Sequence, residues 1–386
     1  MFTRRSSNAS ASVLCESIAP AIERSTDVSV AVDCAESSAG MAARQTKYAR
    51  RSERDREIGM SENLRRRRRL RLCAAMAAGC VLAGCDRDGS RRSPTVREQS
   101  ANAVSVELQH VSSVATHGPR ELIENSAAAM STRQPGVLFT INDSGNAPLL
   151  FAIDTTGANR GVWRVLGASN VDWEAASMGP CVTAHEVERC VYIGDVGDNV
   201  GSHSSRVIYR VAEPNANGET GTVQAEMLRY TYADQRHDVE AMYVAANGDI
   251  YLITKRPMFD TAGHLRPALV FRLPASAWGT RQTSIAQLSD SLPIVPGSAP
   301  FRLITDASLA PDARHVAVRT YSEVYVFATN AATGAVNHDV PPTVCDITAL
   351  GERQGEGVTW VDALGRLVFT SEGRNAPLEL ADCRAP

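Results

Sequence analysis

Three signatures of common catalysts are missing from this chain of 386 residues. It has no G-x-S-x-G turn to lift a serine nucleophile off a strand, no H-E-x-x-H helix to seat zinc, and no glycine-rich P-loop to cradle phosphates. Serine-elbow hydrolases, zincins and P-loop nucleotidases are thereby excluded. The segment His185-Glu186-Val187-Glu188-Arg189 starts like a zincin helix, but has Arg where the second His belongs and lies in an expected surface turn. Long apolar runs are absent as well, and the mostly apolar stretch 70–84 is too short to span a bilayer. Basic residues are scarce after the first quarter. Residues 1–97 hold 19 of the 40 Lys and Arg but 11 of the 43 Asp and Glu, which leaves 21 bases against 32 acids. An acidic body of this kind makes a poor nucleic-acid binder, because phosphate contacts need clustered Lys and Arg.

What the basic end contains is an export layout. Arg65 to Arg69 and Arg71 form a cationic start, residues 70–84 an Ala-rich apolar core, and Leu82-Ala83-Gly84-Cys85 the end. That end resembles a bacterial lipobox, in which Cys85 would be lipidated and become the mature N-terminus. A second, weaker candidate ends at Cys80, and a buried Ala/Leu helix is the structural alternative. Two or three acyl chains would anchor the chain stably to a membrane. The reading of the chain is therefore 1–59 as a disordered or mis-called upstream start, with translation from Met60, and 60–84 as signal peptide. Residues 85–103 form the lipidated Cys and a polar tether, and 104–386 the domain. The expected address is the bacterial cell envelope, with the domain facing out of the cytoplasm. Asp86 resembles an inner-membrane retention signal in some lineages.

Cysteine is also sparse. Only Cys181, Cys190, Cys345 and Cys383 follow Cys85, and no C-x-x-C spacing occurs. An even number in an oxidising compartment points to two disulfides with three possible connectivities. Cys181 and Cys190 flank one expected hairpin turn, which favours their pairing and leaves Cys345 with Cys383. A zinc site is the alternative.

The domain repeats a small pattern five times: a polar residue, a tiny one, then a short apolar strand. The copies are Ser126-Ala127, Glu174-Ala175, Glu240-Ala241, Asp306-Ala307 and Glu356-Gly357. Each is followed by turn signals and further strands, and intervals of roughly 50 to 66 residues suit four-stranded blades. The expected fold is an all-β propeller, most simply of five blades, with six possible if a long interval hides one. A jelly roll or sandwich is the rival. The last copy ends without room for a fourth strand, so the spare segment 104–114 is expected to close the ring.

In propeller geometry the tiny residue lets neighbouring blades meet, and the residue before it lies near the channel mouth. Glu174, Glu240, Asp306 and Glu356 would then converge with Ser126. Crowded carboxylates raise one another's pKa, and a hard cation such as Ca²⁺ relieves them. The alternative is that each caps backbone N–H groups of the next blade. A second candidate cation loop is Asp195 with Asp198 and Asn199, which also reads as an ordinary Gly/Asp turn. Asn142, Asp143, Lys255, Arg319 and Glu372 fall at ends of second strands and are candidate ligand-binding residues. Lys255 and Arg319 would neutralise the acids or hold an anionic substrate. His237 is a candidate general base, with a hydrogen-bonded structural role as its alternative.

Asn142-Asp143-Ser144-Gly145, Asp172-Trp173-Glu174, Gly194-Asp195-Val196-Gly197-Asp198-Asn199, His237-Asp238-Val239-Glu240, Thr254-Lys255, Arg319-Thr320-Tyr321 and Ser371-Glu372-Gly373 form an ordered series. It resembles a family of uncharacterised bacterial secreted or lipoprotein propellers over about residues 105–383. More distantly it is similar to SdiA-regulated and phytase-esterase-like propellers in the calcium-dependent phosphotriesterase group. The resemblance implies a propeller and a central metal. It carries no activity across, because those relatives are typically six-bladed and their ligand sets do not align here residue by residue. Two functions are thus expected from the sequence. One is an envelope module binding a small ligand, glycan or envelope protein. The other is a calcium-dependent hydrolase of phosphate or carboxylic esters.

Overall fold

The computed structural model of the protein describes residues 103–182, 187–255, 258–259, 263–295 and 302–384. The upstream start, signal segment, Cys85, tether and the His185-Glu186 pair lie outside the described residues. The described residues begin with two short strands, β1 (Val104–Val106) and β2 (Gln109–Val114). A first unit follows as β3 (Asn125–Met130), β4 (Val137–Asn142), β5 (Leu149–Asp154) and β6 (Asn159–Leu166). The second contains β7 (Trp173–Val182), β8 (Val187–Asp195), β9 (Arg206–Ala212) and β11 (Glu226–Tyr232), and between the last two β10 (Thr220–Gln224) returns to run parallel to β6. The third has β12 (Val239–Val244), β13 (Ile250–Thr254), β16 (Ala268–Leu273) and β17 (Ser284–Leu292), with a small hairpin of β14 (Met258–Phe259) and β15 (Leu265–Arg266) inserted. The fourth is β18 (Ile304–Leu309), β19 (His315–Thr320), β20 (Glu323–Ala328) and β21 (Thr343–Asp346). The fifth is β22 (Gly355–Trp360), β23 (Arg366–Ser371) and β24 (Leu378–Asp382).

Within each unit the strands pair antiparallel in sequence order, and the five first strands stand side by side, with β22 returning to contact β3. Meanders arranged radially around a closed ring of inner strands make a β-propeller. The fifth unit lacks a fourth strand of its own, and β2 supplies it by pairing antiparallel with β24. The segment 104–114 does not act as one strand, however. It breaks at Glu107-Leu108, and β1 joins the neighbouring fourth unit, parallel to β21. Units two and three are further joined by a parallel pairing of their outer strands β11 and β17.

No unit can bury both faces of its sheet alone, so the apolar residues meet between units. Phe139, Ile141 and Leu150 of the first pack against Val191, Ile193 and Val207 of the second. Tyr192 and Ile208 face Met242 and Leu252, and Tyr251 and Val270 face Val316 and Val318. Val324 and Ala317 meet Trp360 and Phe369, while Val368 and Leu378 meet Leu138 and Met130 to complete the circle. Each fully buried side chain of this size contributes about 1.5–3 kcal/mol of apolar transfer. The inner strands are buried on both faces, which removes the usual in–out alternation. Their crowding explains the tiny residue: a Cβ on Gly357 would sit 2.9 Å from both the Cβ and the backbone N of Ala128.

Two disulfides are present. Cys181–Cys190 ties β7 to β8 with Cα atoms 5.6 Å apart, and Cys345–Cys383 joins β21 to the end of β24 with Cα atoms 6.0 Å apart.

Candidate functional site

At the start of every inner strand the ladder skips one residue. Asn125 pairs with Asn142 and Ala127 with Ile141, leaving Ser126 bulged. By the same shift Glu174, Glu240 and Glu356 are bulged in β7, β12 and β22. A bulge re-aims a side chain away from the sheet, here at one end of the channel. In β18 the skipped residue is Thr305, because Ile304 pairs with Thr320 and Asp306 with Arg319. This corrects the sequence alignment of the fourth copy: Asp306 occupies the tiny position, and Thr305 the polar one.

The displaced register gives Asp306 a different task. Its Oδ2 accepts N–H bonds from Val358 at 2.9 Å and Ala128 at 3.2 Å, and its Oδ1 one from Ala307 at 2.8 Å. It cross-links three inner strands and is fully buried. Burial pushes its carboxyl well up, and the three N–H groups pull it back. Arg319 is equally enclosed. It donates to the carbonyls of Gly357 at 2.7 Å and Thr370 at 3.3 Å and pairs with Glu352, its guanidinium over Phe369. Neither residue belongs to the mouth, and the ligand-holding role expected for Arg319 is replaced by a clamp between units four and five.

The mouth itself draws on all five units, the fourth through Thr305 and Tyr321. Asp143, Asp172 and Glu174 each bring a carboxylate oxygen within 4.8 Å of the others. Burial raises Asp172 to about 6, with Asp143 adding to it, and burial and Glu240 raise Glu174 well above its usual range. A Cβ on Gly197 would lie 2.7 Å from both Asp172 Oδ2 and Glu174 Cγ, so the turn after β8 presses its bare backbone against the cluster. The donor set of three clustered carboxylates suits a hard divalent cation. On the other side Lys255, the only lysine after Lys47, reaches Glu240 at 3.0 Å. Burial pushes Glu240 up, to about 8, against the pull of Lys255. Burial works against the ammonium too, but Glu240, Tyr321 and Glu356 outweigh it and raise its pKa. Tyr321 and Gln354 donate to Glu356 Oε1 at 3.2 and 3.0 Å. Glu372 receives a bond from the same Gln354, and burial with Glu356 raises it to about 7. Glu240 Oε1 and Thr305 Oγ1 are buried without hydrogen-bond partners among the described residues.

The remaining sequence candidates sit elsewhere. Asn142 is consumed locally, accepting from the Ile123 and Glu124 backbones and donating to Glu121 O. Asp195 accepts from the Asp172 backbone at 2.9 Å and so positions the cluster from behind. Asp198 holds the Ser202 backbone at 2.8 Å and pairs with Arg206 at 3.3 Å, while Asn199 is exposed. These three do not converge as a cation loop. His237 is buried between Tyr232 and Phe271 and bonded to Asp234 at 3.0 Å, which makes it a structural histidine rather than a base among the carboxylates. Asp172, Gln354 and Tyr321 were not singled out as site residues from the sequence. For Asp172 a signal existed, since Asp-Trp-Glu places two acids two residues apart around a bulge.

No family model matches the chain. Over 121 residues it is 31% identical to the ATP synthase epsilon chain of Nostoc punctiforme, covering 31% of this chain and 80% of that one. That stretch is under a third of this chain, so the likeness belongs to a segment and gives the whole chain no family. Among solved structures, the glutaminyl cyclase of Myxococcus xanthus aligns at TM-score 0.42 and 13% identity, covering 73% of this chain and all of that one. A gluconolactonase of Xanthomonas campestris aligns at 0.36 and 15%, covering 68% and 87%. The β-propeller domain of Myceliophteria thermophila Cps50 aligns at 0.32 and 11%, covering 71% and 100%. Similarities of this size carry no argument about chemistry, and what stands is a β-propeller with an acidic cluster at its channel mouth able to hold a metal ion.

Proposed function

We propose that this is an exported, lipid-anchored propeller whose channel mouth binds Ca²⁺ and, through it, an oxygen-bearing small ligand, glycan or partner of the cell envelope. The observation that carries the reading is the meeting of Asp143, Asp172 and Glu174 oxygens within 4.8 Å. Their strongest cationic neighbours, Lys255 and Arg206, are already paired with Glu240 and Asp198. Oxygen-only donors and a backbone pressed in by Gly197 favour Ca²⁺ over softer metals. Anchoring through Cys85 is supported by the arginine run and lipobox-like end, and the two disulfides fit an oxidising compartment.

The test is elemental analysis and thermal melting of the full chain with and without EDTA. A ligand bound only by the native state raises its melting temperature. Near-stoichiometric calcium and a chelator-induced fall in Tm, both abolished by Glu174→Gln, are expected. Unchanged melting with EDTA and no bound metal would sink the reading.

One observation favours a hydrolase of phosphate or carboxylic esters as a second reading. Burial and Glu356 raise Glu372 to about 7, so near neutrality it can accept and return a proton at the mouth, outside the three carboxylates that would hold the cation. The bound cation would polarise an ester oxygen there. A panel of esters that stays inert with calcium-loaded protein leaves the binding module standing alone.

A further inference from the structure

The five inner strands end as regularly as they begin. Three residues beyond the position that follows each bulge stand Met130, Met178, Val244, Leu309 and Trp360, one per unit. Register makes them equivalent, since they pair with Leu138, Val191, Ile250, Val316 and Leu367 of the second strands. At about 3.3 Å per residue they lie about 13 Å from the bulged residues, at the other end of the channel. All five line one cavity of about 480 Å³, a size that suits a small ligand. Between the two ends Ala128, Ala176, Met242, Ala307 and Val358 are at most 1% exposed, which separates this cavity from the carboxylate mouth.

Two properties of the lining select an occupant. The first is an apolar ring whose neighbouring hydroxyls are already engaged. Val244 and Trp360 are buried, whereas Met178 and Leu309 remain half-buried at the walls. One residue further in, Ser177 Oγ accepts the Val244 N–H at 3.1 Å and Thr359 Oγ1 the Met130 N–H at 2.9 Å. Ser308 Oγ lies 3.3 Å from Thr359 Oγ1, and Trp360 Nε1 donates to Ser308 O at 2.8 Å. The second property is charge, which only Arg189 and Asp362 bring to the lining. Asp362 Oδ1 accepts the Leu364 and Arg366 N–H groups at 2.7 and 3.3 Å. Arg189 donates Nε–H and Nη2–H to Thr132 Oγ1 at 3.0 and 2.8 Å, a neutral oxygen, and makes no ion pair among the described residues. A guanidinium beside an apolar wall favours a carboxylate, which it binds more strongly than a neutral acceptor.

We propose that this cavity binds a medium-chain carboxylate, its alkyl chain against Met178, Val244 and Leu309 and its head group on Arg189. The unbranched, adaptable Met178 suits a flexible chain. The site shares no residue with the carboxylate cluster and needs no metal.

The test is calorimetric titration of the full chain with hexanoate, octanoate and 1-octanol, in EDTA and again in Ca²⁺. Saturable one-to-one binding of octanoate is expected in both, tighter than hexanoate by about fourfold per buried CH₂. Octanol should bind about tenfold more weakly, for want of one charge-assisted bond. Arg189→Gln should weaken octanoate by the same factor and leave octanol unchanged, a split that a general loss of structure would not produce. Met178→Asp and Leu309→Asp, both at half-buried positions, should each abolish binding of all three. No saturable binding of any chain overturns the proposal and leaves the cavity to a partner's side chain. Affinity indifferent to chain length, or to both aspartate substitutions, also overturns it. Equal affinity for octanol and octanoate removes the carboxylate from the assignment, and octanoate binding that requires Ca²⁺ moves the site to the other mouth; either result overturns it.

Discussion

Two arcs of the same ring bury carboxylates in opposite ways. Between units four and five, Asp306 is bonded to three backbone N–H groups and Glu352 to Arg319 and Ser371. Between units one and two, Asp143, Asp172 and Glu174 bring carboxylate oxygens within 4.8 Å of one another, and Glu174 also feels the charge of Glu240. Burial differs in degree, since Asp306 is fully enclosed while Asp143 and Asp172 are half-buried and Glu174 is buried. Hydrogen bonding differs more: the first arc spends its charge on holding strands together, while the second keeps its charge available. A buried unsatisfied charge survives only where something else stabilises it, which is the ground for placing the proposed cation in the second arc.

The comparison can be broken most forcefully at Asp306. Asp306→Ala strands the N–H groups of Ala128 and Val358 inside the ring and should cost about 4 kcal/mol in urea unfolding; a loss under about 1 kcal/mol would erase the contrast. Arg319→Met removes the clamp and leaves Glu352 buried, and should cost about 3 kcal/mol, with partial rescue by Glu352→Gln in the double variant. Glu174→Gln tests the other arc with the opposite sign. In chelator it should stabilise by about 1 kcal/mol by relieving like-charge repulsion, while removing the response to calcium. Raised pKa values also give the second arc a pH signature. Asp172, Glu372 and Glu240 rise from 3.8, 4.5 and 4.5 to about 6, 7 and 8. The folded protein therefore binds more protons than the unfolded chain in that window, and stability falls as pH rises. Chelated protein should lose Tm steadily from about pH 4 to about pH 8, and added calcium should flatten the slope; a Tm rising with pH would contradict it. The smallest effect belongs to Thr305→Val, which deletes a buried hydroxyl without a partner and should shift stability by under about 1 kcal/mol, in the stabilising direction.

The polar-then-tiny repeat made the ring legible because sterics at the axis leave little choice of residue there. Three of its glutamates could be placed at the mouth for the same reason. The fourth copy could not, since Thr305-Asp306-Ala307 offers two polar residues and only ladder pairing decides which is bulged. Arg319 and Asn142 looked like mouth residues by position on their strands, but their long or branched polar ends found backbone partners that no spacing reveals. Asp172 and Gln354 lie just outside or at the edge of strands, where the chain's path is set by tertiary contacts.

The closure by β1 and β2 has a mechanical consequence. Any tension applied through the N-terminal end of the described residues enters the ring at β1 and β2, the strands that are easiest to peel. Val106 of β1 lies opposite Cys345, and Gln109 of β2 lies opposite Asp382, next to Cys383. The disulfide between Cys345 and Cys383 thus couples the two strands that receive the load, so that force is shared by units four and five instead of unzipping one edge. Reducing that bond should lower the unfolding force for N-terminal pulling far more than for pulling across the second unit.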